Sequence, residues 1–170
     1  MWERERPDLD FSPVAVVSRI GRAAHYLDDG IELVLATHGL SRASWDVLAA
    51  LRRVGEPYRL SPTELYRSLM RTSGTITHRL RRLESKRLVR RSGDPEDGRV
   101  ALVELTPTGK RLVDRVAAEH LANERELLAG LDASERDELA DLLRKLLLGF
   151  EREAPVPPEP RSKRRSRRTG

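Results

Sequence analysis

One segment of the chain, LVRRSGDPEDGRVALVELTPTG at 88–109, interrupts a sequence that otherwise has helical periodicity. Its two ends, 88–92 and 100–105, are built largely from residues that favour β-strands. Gly, Asp, Pro and a second Gly lie between them and favour a turn. The segment therefore predicts a two-stranded hairpin inside a mostly helical chain.

The stretches around this hairpin have apolar residues at intervals of three and four, which predicts six helices. We expect them over 13–37, 41–55, 61–70, from after RTSG to about 86, from 107 to about 131, and 134–150. Several begin at typical start signals, namely Ser12 with Pro13, Ser41, Ser61 with Pro62 and Glu64, Thr106 with Pro107, and Ser134. Two short helices, a tight connection and a hairpin describe a winged helix-turn-helix, whose second helix enters the major groove of DNA.

The fourth predicted helix has two chemically different sides. Ile76, Leu80 and Leu83 form a narrow apolar stripe that should face the core. Thr75, His78, Arg81, Arg82 and Ser85 lie opposite and offer donors to phosphates and to guanine edges. Arg99, near the hairpin tip, can reach phosphate or a narrow minor groove. The alternative is an ordinary solvated basic face.

Charge is distributed unevenly along the chain. Residues 61–111 carry 12 basic and 6 acidic side chains, and 161–170 carry six basic and no acidic ones. Residues 112–160 have the reverse balance, with 6 basic and 12 acidic. This pattern favours a nucleic-acid partner for the part of the chain that contains the hairpin.

Other function classes find little support in the residues. The chain has no Cys, and His25, His38, His78 and His120 are scattered, so we expect no disulfide, metal or cofactor. No catalytic set or phosphate-binding loop can be assembled, so an enzyme is not expected. Without a long apolar run or signal peptide, the expected location is cytoplasmic, associated with the nucleoid, with no membrane partner.

The segment from LSPTEL through LTPTGKRLV resembles the DNA-binding core of the MarR family of bacterial repressors. The shared features are the LSPTEL helix start, the recognition-helix pattern SGTITxRLxRLExxxLVxR, the DPxDGR wing and the LTPTG entry to the next helix. The resemblance covers about 12–150 and implies a mainly α fold with a small β-hairpin wing. That fold is a winged helix-turn-helix whose long N- and C-terminal helices form a dimerisation domain.

The resemblance also implies an organisation and a set of partners. The expected regions are an N-terminal arm at 1–11, a helical dimerisation region at 12–57 and 107–150, a winged helix-turn-helix DNA-binding region at 58–106, and a disordered Pro/Arg-rich basic tail at 151–170. A symmetric homodimer would bury the apolar faces of the long helices, although an intramolecular core is the alternative. It would place two recognition helices on a palindromic operator of double-stranded DNA. The expected DNA contacts are Ser73, Thr75, Thr77, His78, Arg81, Arg82 and Arg99.

A finer resemblance links the chain to the urate-responsive, PecS/HucR-type branch of that family. In this branch the urate-sensing set is a Trp before the first long helix, an Asp after the Trp of the next helix, an Arg of the recognition helix and an Arg of the first wing strand. The matching positions here are Trp2, Asp46, Arg79 and Arg91. The resemblance thus implies a repressor that is released by a small anionic ligand, urate or a related purine.

The chemistry of these four residues suits a urate monoanion. Arg79, at the edge of the apolar stripe, can point inward and offer a flat fork of donors, and Trp2 can stack on the ring. Asp46 can pair with Arg91 until an anion competes for the arginine. A structural ion pair for Asp46 and a phosphate contact for Arg79 are the alternatives.

The N-terminal arm departs from the pattern of that branch, where the matching Trp lies within an extra helix. Arg6 precedes Pro7 and is disfavoured in a helix, so only a single turn is expected around Trp2. Either this chain senses its ligand with a looser arm, or translation starts further upstream.

The sequence is also compatible with two other functions. A MarR-type sensor of phenolic or antibiotic ligands that controls efflux would have the same DNA-binding core. A non-specific architectural DNA binder would use the wing and the basic tail to hold phosphates alone, with affinity that falls steeply with salt.

Overall fold

The computed structural model of the chain describes residues 2–69, 73–93 and 101–153, except for the side chains of Glu3, Glu153 and residues 73–76. The helices in these ranges are α1 (Trp2–Glu5), α2 (Ser12–Thr37), α3 (Arg42–Arg53), α4 (Pro62–Leu69), α5 (Ser73–Ser85), α6 (Pro107–Leu127) and α7 (Ala133–Glu153). The strands are β1 (Arg59–Leu60), β2 (Val89–Gly93) and β3 (Ala101–Leu105). The predicted fold class, mainly helical with a hairpin wing, is confirmed.

The hairpin belongs to a sheet that is one strand larger than predicted. β2 and β3 pair antiparallel, and β1 joins the free edge of β3, so the strand order is β1-β3-β2. Arg59 lies opposite Glu104, and Leu60 lies opposite Val103. A strand of two residues shows no alternation in the sequence, because its pairing partner lies more than forty positions away.

Two predicted helix starts are confirmed by hydrogen bonds. Ser61 and Glu64 form a reciprocal capping box, in which the Glu64 N–H donates to Ser61 Oγ at 3.2 Å and the Ser61 N–H donates to Glu64 Oε2 at 2.7 Å. Thr106 Oγ1 accepts from the Gly109 N–H at 3.0 Å at the start of α6. These bonds satisfy backbone donors that have no partner inside the helices.

Two other predicted caps are wrong. Ser12 is the first residue of α2, and its N–H donates to Asp10 Oδ1 at 2.8 Å. At α7 the capping pair is Asp132 and Glu135, each accepting from the other's N–H at 2.9 Å, and Ser134 lies within the helix. In both cases an Asp two residues upstream provides the acceptor in place of the Ser hydroxyl.

Contacts within the chain divide it into two compact units. The first contains the residues up to Arg42 together with Arg115–Gly130, and the second contains Ala43–Asp114 and the chain from Leu131 onward. Helix α6 therefore contributes its first turns to the second unit and its remainder to the first. These units are defined by contacts, whereas the predicted regions 12–57, 58–106 and 107–150 are defined by dimerisation and DNA binding. The boundaries of those regions remain predictions.

In the first unit, α2 packs against the C-terminal part of α6. Asn123 Nδ2 donates to the Gly30 carbonyl at 3.2 Å, and a Cβ on Gly30 would meet Leu127 Cδ2 at 2.6 Å. His38, directly after α2, and Glu119 on α6 form a second contact, with Nε2 and Oε2 2.9 Å apart. The helices thus approach closely at a glycine.

In the second unit, apolar side chains from α3, α4, α5, the sheet and α6 form the core, among them Val47, Leu48, Leu51, Leu65, Leu80, Leu83, Val103 and Val113. Asp114 on α6 accepts from Lys110 Nζ at 2.8 Å and from Arg52 Nε at 2.7 Å. These two hydrogen bonds, Lys110 first, hold the pKa of the Asp114 carboxyl below its ordinary value. The Arg52 guanidinium also lies over the Tyr58 ring, 5.1 Å from its centroid. Asp114 therefore ties the start of α6 to α3.

Many apolar side chains on the long helices are exposed in the single chain. On α2 they include Val14, Val16, Val17 and Tyr26, and on α7 they include Leu139, Leu142, Leu146, Leu147 and Phe150. Helix α7 continues to Glu153, three residues beyond its predicted end. The rest of the predicted basic tail, 154–170, lies outside the described residues.

Candidate nucleic-acid interface and effector site

Helix α5 separates apolar from basic side chains as its sequence predicts. Leu80 and Leu83 are each 1% exposed, whereas His78, Arg81 and Arg82 on the other side are exposed. Thr77 is exposed as well. The side chains of Ser73, Thr75 and Ile76 lie outside the described residues. The described outer face of α5 therefore presents an imidazole and two guanidinium groups to solvent.

The C-terminal end of α5 is joined to the wing by a short connection that several hydrogen bonds hold in place. The Leu88 N–H donates to the Leu83 carbonyl at 3.0 Å, and Arg87 adopts a left-handed φ of 56°. Thr106 Oγ1 donates to the carbonyl of Arg87 at 2.8 Å, and the Thr106 N–H donates to that of Leu88 at 3.0 Å. These bonds fix the direction of α5 relative to the sheet.

The wing itself is described only at its base. Arg90 Nη2 on β2 donates to Glu104 Oε1 on β3 at 2.6 Å, and this bond raises the pKa of the Arg90 guanidinium. Arg99, the predicted contact at the hairpin tip, lies outside the described residues. At the base of the wing, the charge of Arg90 is thus balanced within the sheet.

Arg79 occupies the position between the two sides of α5. Its side chain is half-buried, and its Nη1 atom is buried with no hydrogen-bond partner among the residues that the structure describes. Leaving a buried charged donor unsatisfied is costly, and an anion is the natural partner for it. The predicted role of Arg79 as a ligand contact stays a prediction.

The other predicted effector residues have different surroundings. Arg91 Nε donates to Glu84 Oε1 at 2.6 Å, so the carboxylate on Arg91 is Glu84, where the sequence suggested Asp46. Asp46 is half-buried on α3. Asp46, Arg79 and Arg91 belong to the second unit.

Trp2 belongs to the first unit and forms part of α1, the single turn that the sequence predicts. Its side chain is 68% exposed, and its ring stacks on Phe11 with centroids 6.1 Å apart and planes at 27°. Arg6 pairs with Asp8 at 2.7 Å, which lowers the pKa of the Asp8 carboxyl. The arm thus has local contacts of its own and leaves most of the indole available.

Comparison with known proteins gives consistent matches along the chain. The family model described as MarR family matches residues 38–100. The HTH-type transcriptional regulator PecS of Dickeya dadantii is 38% identical over 142 residues, which cover 84% of this chain and 86% of PecS. The chain belongs to the MarR family.

Solved structures of MarR-family proteins have the same fold as this MarR-family chain. A mutant of MarR from E. coli complexed with operator DNA has a TM-score of 0.72 and 29% identity, covering 81% of this chain and 97% of that one. BpsR of Bordetella bronchiseptica, solved to explain how 6-hydroxynicotinic acid regulates its DNA binding, has a TM-score of 0.70 and 28% identity, covering 77% of this chain and 91% of that one. This MarR-family chain is a transcriptional regulator and not an enzyme.

Two further observations concern the described residues alone. None of the helices in 2–69, 73–93 and 101–153 is long and apolar enough to span a membrane. Within the same ranges no group of His, Asp or Glu side chains is arranged to hold a metal ion.

Proposed function

We propose that this MarR-family chain is a homodimeric repressor that binds a palindromic operator and is released from it by a small anion, urate or a related purine. The observation that carries the proposal is the division of α5 into an exposed basic side and a half-buried Arg79, whose buried Nη1 atom has no hydrogen-bond partner among the described residues. One helix then carries both the DNA contacts and a ligand contact.

The basic side of α5 supports DNA as the partner of this helix. Arg81 and Arg82 are exposed next to His78, and α5 is the second helix of the helix-turn-helix. Guanidinium groups bind guanine edges and phosphates with two parallel hydrogen bonds. The operator-bound MarR, which has the same fold, also supports DNA as the partner. We assign DNA contacts to Thr77, His78, Arg81 and Arg82, and extend them to Ser73, Thr75 and Arg99 from the sequence.

Exposed apolar side chains on α2 and α7 support a homodimer. Val17 on α2 is 69% exposed, and Phe150 on α7 is 62% exposed. Exposed apolar side chains of this kind on each helix are typical of faces that a second subunit covers. Two-fold pairing also spaces two recognition helices by about 34 Å, one turn of DNA.

The buried Nη1 atom of Arg79 supports an anionic effector. A planar purine anion offers carbonyl oxygens and ring nitrogens that accept both arms of a guanidinium fork. In the proposed site, Arg91 supplies a second guanidinium, and the negative charge of the ligand repels the Asp46 carboxylate. From the sequence we extend the effector residues to Trp2, whose ring would stack on the purine. The regulation of BpsR by 6-hydroxynicotinic acid, which is a planar aromatic acid, supports a ligand of this chemical class.

The DNA part of the proposal is tested with DNA from upstream of the chain's own gene. We expect binding of a palindromic site about 10³-fold or more tighter than binding of scrambled DNA at physiological salt. Sedimentation of the complex should give two chains per site. Equal affinity for scrambled DNA would support the architectural alternative instead.

The ligand part is tested by thermal shift with a panel of urate, other purines and phenolic acids. We expect urate to raise the melting temperature of the wild type, and the Asp46→Ala and Arg79→Ala variants to lose that shift while they stay dimeric. Arg53→Ala, which removes an exposed guanidinium on α3, is the control and should keep it. A shift with phenolic acids alone would replace urate by the phenolic alternative.

A further inference from the structure

We propose that Glu84 is an internal competitor of the effector: its carboxylate occupies Arg91 when no ligand is bound and so sets the ligand concentration that releases DNA. This inference rests on the proposed function, because it assumes that an anion reaches Arg91. It assigns a role to a residue outside the predicted effector set.

The ion pair is short and partly shielded from solvent. Arg91 Nε donates to Glu84 Oε1 at 2.6 Å, and the two side chains are 46% and 28% exposed. A charge-assisted hydrogen bond of this length is among the stronger ones in proteins. An anion that binds Arg91 through the same Nε donor has to displace the Glu84 carboxylate first.

The backbone keeps the two partners together. Glu84 lies in the last turn of α5, and the Arg87 N–H donates to its carbonyl at 2.9 Å. β2 begins four residues after α5 ends, and the Leu88 N–H bonds back to Leu83. The carboxylate therefore has a high local concentration at Arg91, and an external anion competes with it at a disadvantage.

The position of Glu84 at the end of α5 means that its displacement from Arg91 affects the recognition helix. A carboxylate in the last turn of a helix faces the negative end of the helix dipole and is destabilising there unless a cation balances it. Arg91 is that cation. When an anion takes Arg91, Glu84 is left unbalanced at the end of α5, and the last turn of the recognition helix is destabilised. Ligand binding on the wing strand is thereby coupled to the helix that contacts DNA.

A neighbouring ion pair provides a matched control. Arg90 donates to Glu104 at 2.6 Å, on the strand position next to Arg91. Both partners of this pair lie in the sheet, because Arg90 and Glu104 are opposite each other on β2 and β3. Glu104→Gln therefore removes the charge of an equally short pair without altering a contact of α5.

The experiment measures urate affinity of the full chain by isothermal titration in the absence of DNA, for the wild type, Glu84→Gln and Glu104→Gln. Glutamine keeps the shape of the side chain and removes its charge. We expect Glu84→Gln to bind urate roughly two- to five-fold more tightly, the range of a partly exposed ion pair. Glu104→Gln should bind urate as the wild type does. Operator release should then need correspondingly less urate for Glu84→Gln.

The outcomes separate this inference from the proposed function. If the wild type binds urate and Glu84→Gln binds it equally or more weakly, the competitor role is overturned and urate stands as effector. If Glu84→Gln and Glu104→Gln gain urate affinity equally, the gain comes from the change in net charge, and the specific role of Glu84 is overturned. If none of the three proteins binds urate, the effector itself is refuted, and the role of Glu84 with it.

Discussion

The packing of Gly109 at the base of the wing gives a sharp prediction about stability. Gly109 is buried in the first turn of α6, and a Cβ on it would lie 2.9 Å from Leu105 Cδ1 and 3.0 Å from the carbonyl carbon of Leu88, and closer still to the Leu88 oxygen. That oxygen accepts the Thr106 N–H at 3.0 Å. The Gly109→Ala variant can be accommodated only by moving backbone that joins α5, β3 and α6.

The size of the effect follows from three contributions. Overpacking a tight site costs about 1–3 kcal/mol, and weakening the Thr106 hydrogen bond costs about 1 kcal/mol more. Alanine recovers up to ~1 kcal/mol through its better helix propensity. We therefore expect Gly109→Ala to lower the free energy of unfolding by about 1–4 kcal/mol, or the melting temperature by roughly 2–16 °C.

Two other helical glycines serve as controls for this reasoning. A Cβ on Gly149 would meet nothing within 4 Å, so Gly149→Ala should leave stability unchanged or raise it by up to ~1 kcal/mol. The three atoms nearest to a Cβ on Gly30 all belong to the Leu127 side chain, which can rotate away, so Gly30→Ala should cost less than Gly109→Ala. Urea unfolding followed by circular dichroism at one fixed protein concentration ranks the three variants. A Gly109→Ala protein as stable as the wild type would show that the site accommodates a methyl group without moving the Leu88 backbone.

Three further predictions concern a helix cap, an ion pair and the DNA surface. Ser61→Ala removes the acceptor of the α4 capping box and should cost about 1 kcal/mol in urea unfolding; no loss would show that the cap is dispensable. Because the pKa of the Asp114 carboxyl is lowered, this group stabilises the fold at pH values above its ordinary pKa of 3.8, and the stabilisation is lost as the pH falls through the lowered pKa. Asp114→Asn should therefore lose less stability than the wild type between about pH 7 and pH 3. Equal losses in the two proteins would contradict this. Arg81→Ala should weaken operator binding by about 1–3 kcal/mol in a fluorescence anisotropy titration, whereas Arg125→Ala on α6 should not; equal effects would assign the loss to net charge.

Features that depend on neighbouring residues could be predicted from the sequence. The hairpin, the α4 capping box and the two sides of α5 each follow from residues within a few positions of one another. The start of α7 could not be placed correctly, since both Asp132 and Ser134 can cap a helix. Only the reciprocal bonds with Glu135 select Asp132.

Features that depend on pairing across the chain could not be predicted. β1 is too short to show alternation, and its partner residues on β3 are distant in sequence. The partner of Arg91 is a similar case, because Asp46 and Glu84 are both carboxylates that the fold could bring to it. Glu84 and Arg91 are seven residues apart, but one lies on a helix and the other on a strand, so no helical or strand periodicity predicts that they meet. The structure selects Glu84 because the connection after α5 turns back on Leu83.

We propose that Arg79, half-buried on the helix that contacts DNA, senses the effector. The most direct measurement is operator binding by Arg79→Ala, followed by fluorescence anisotropy with and without urate. We expect the variant to bind the operator within about three-fold of the wild type and to stay bound at urate concentrations that release the wild type. A variant that loses operator affinity about ten-fold or more, or that urate still releases, would contradict the claim.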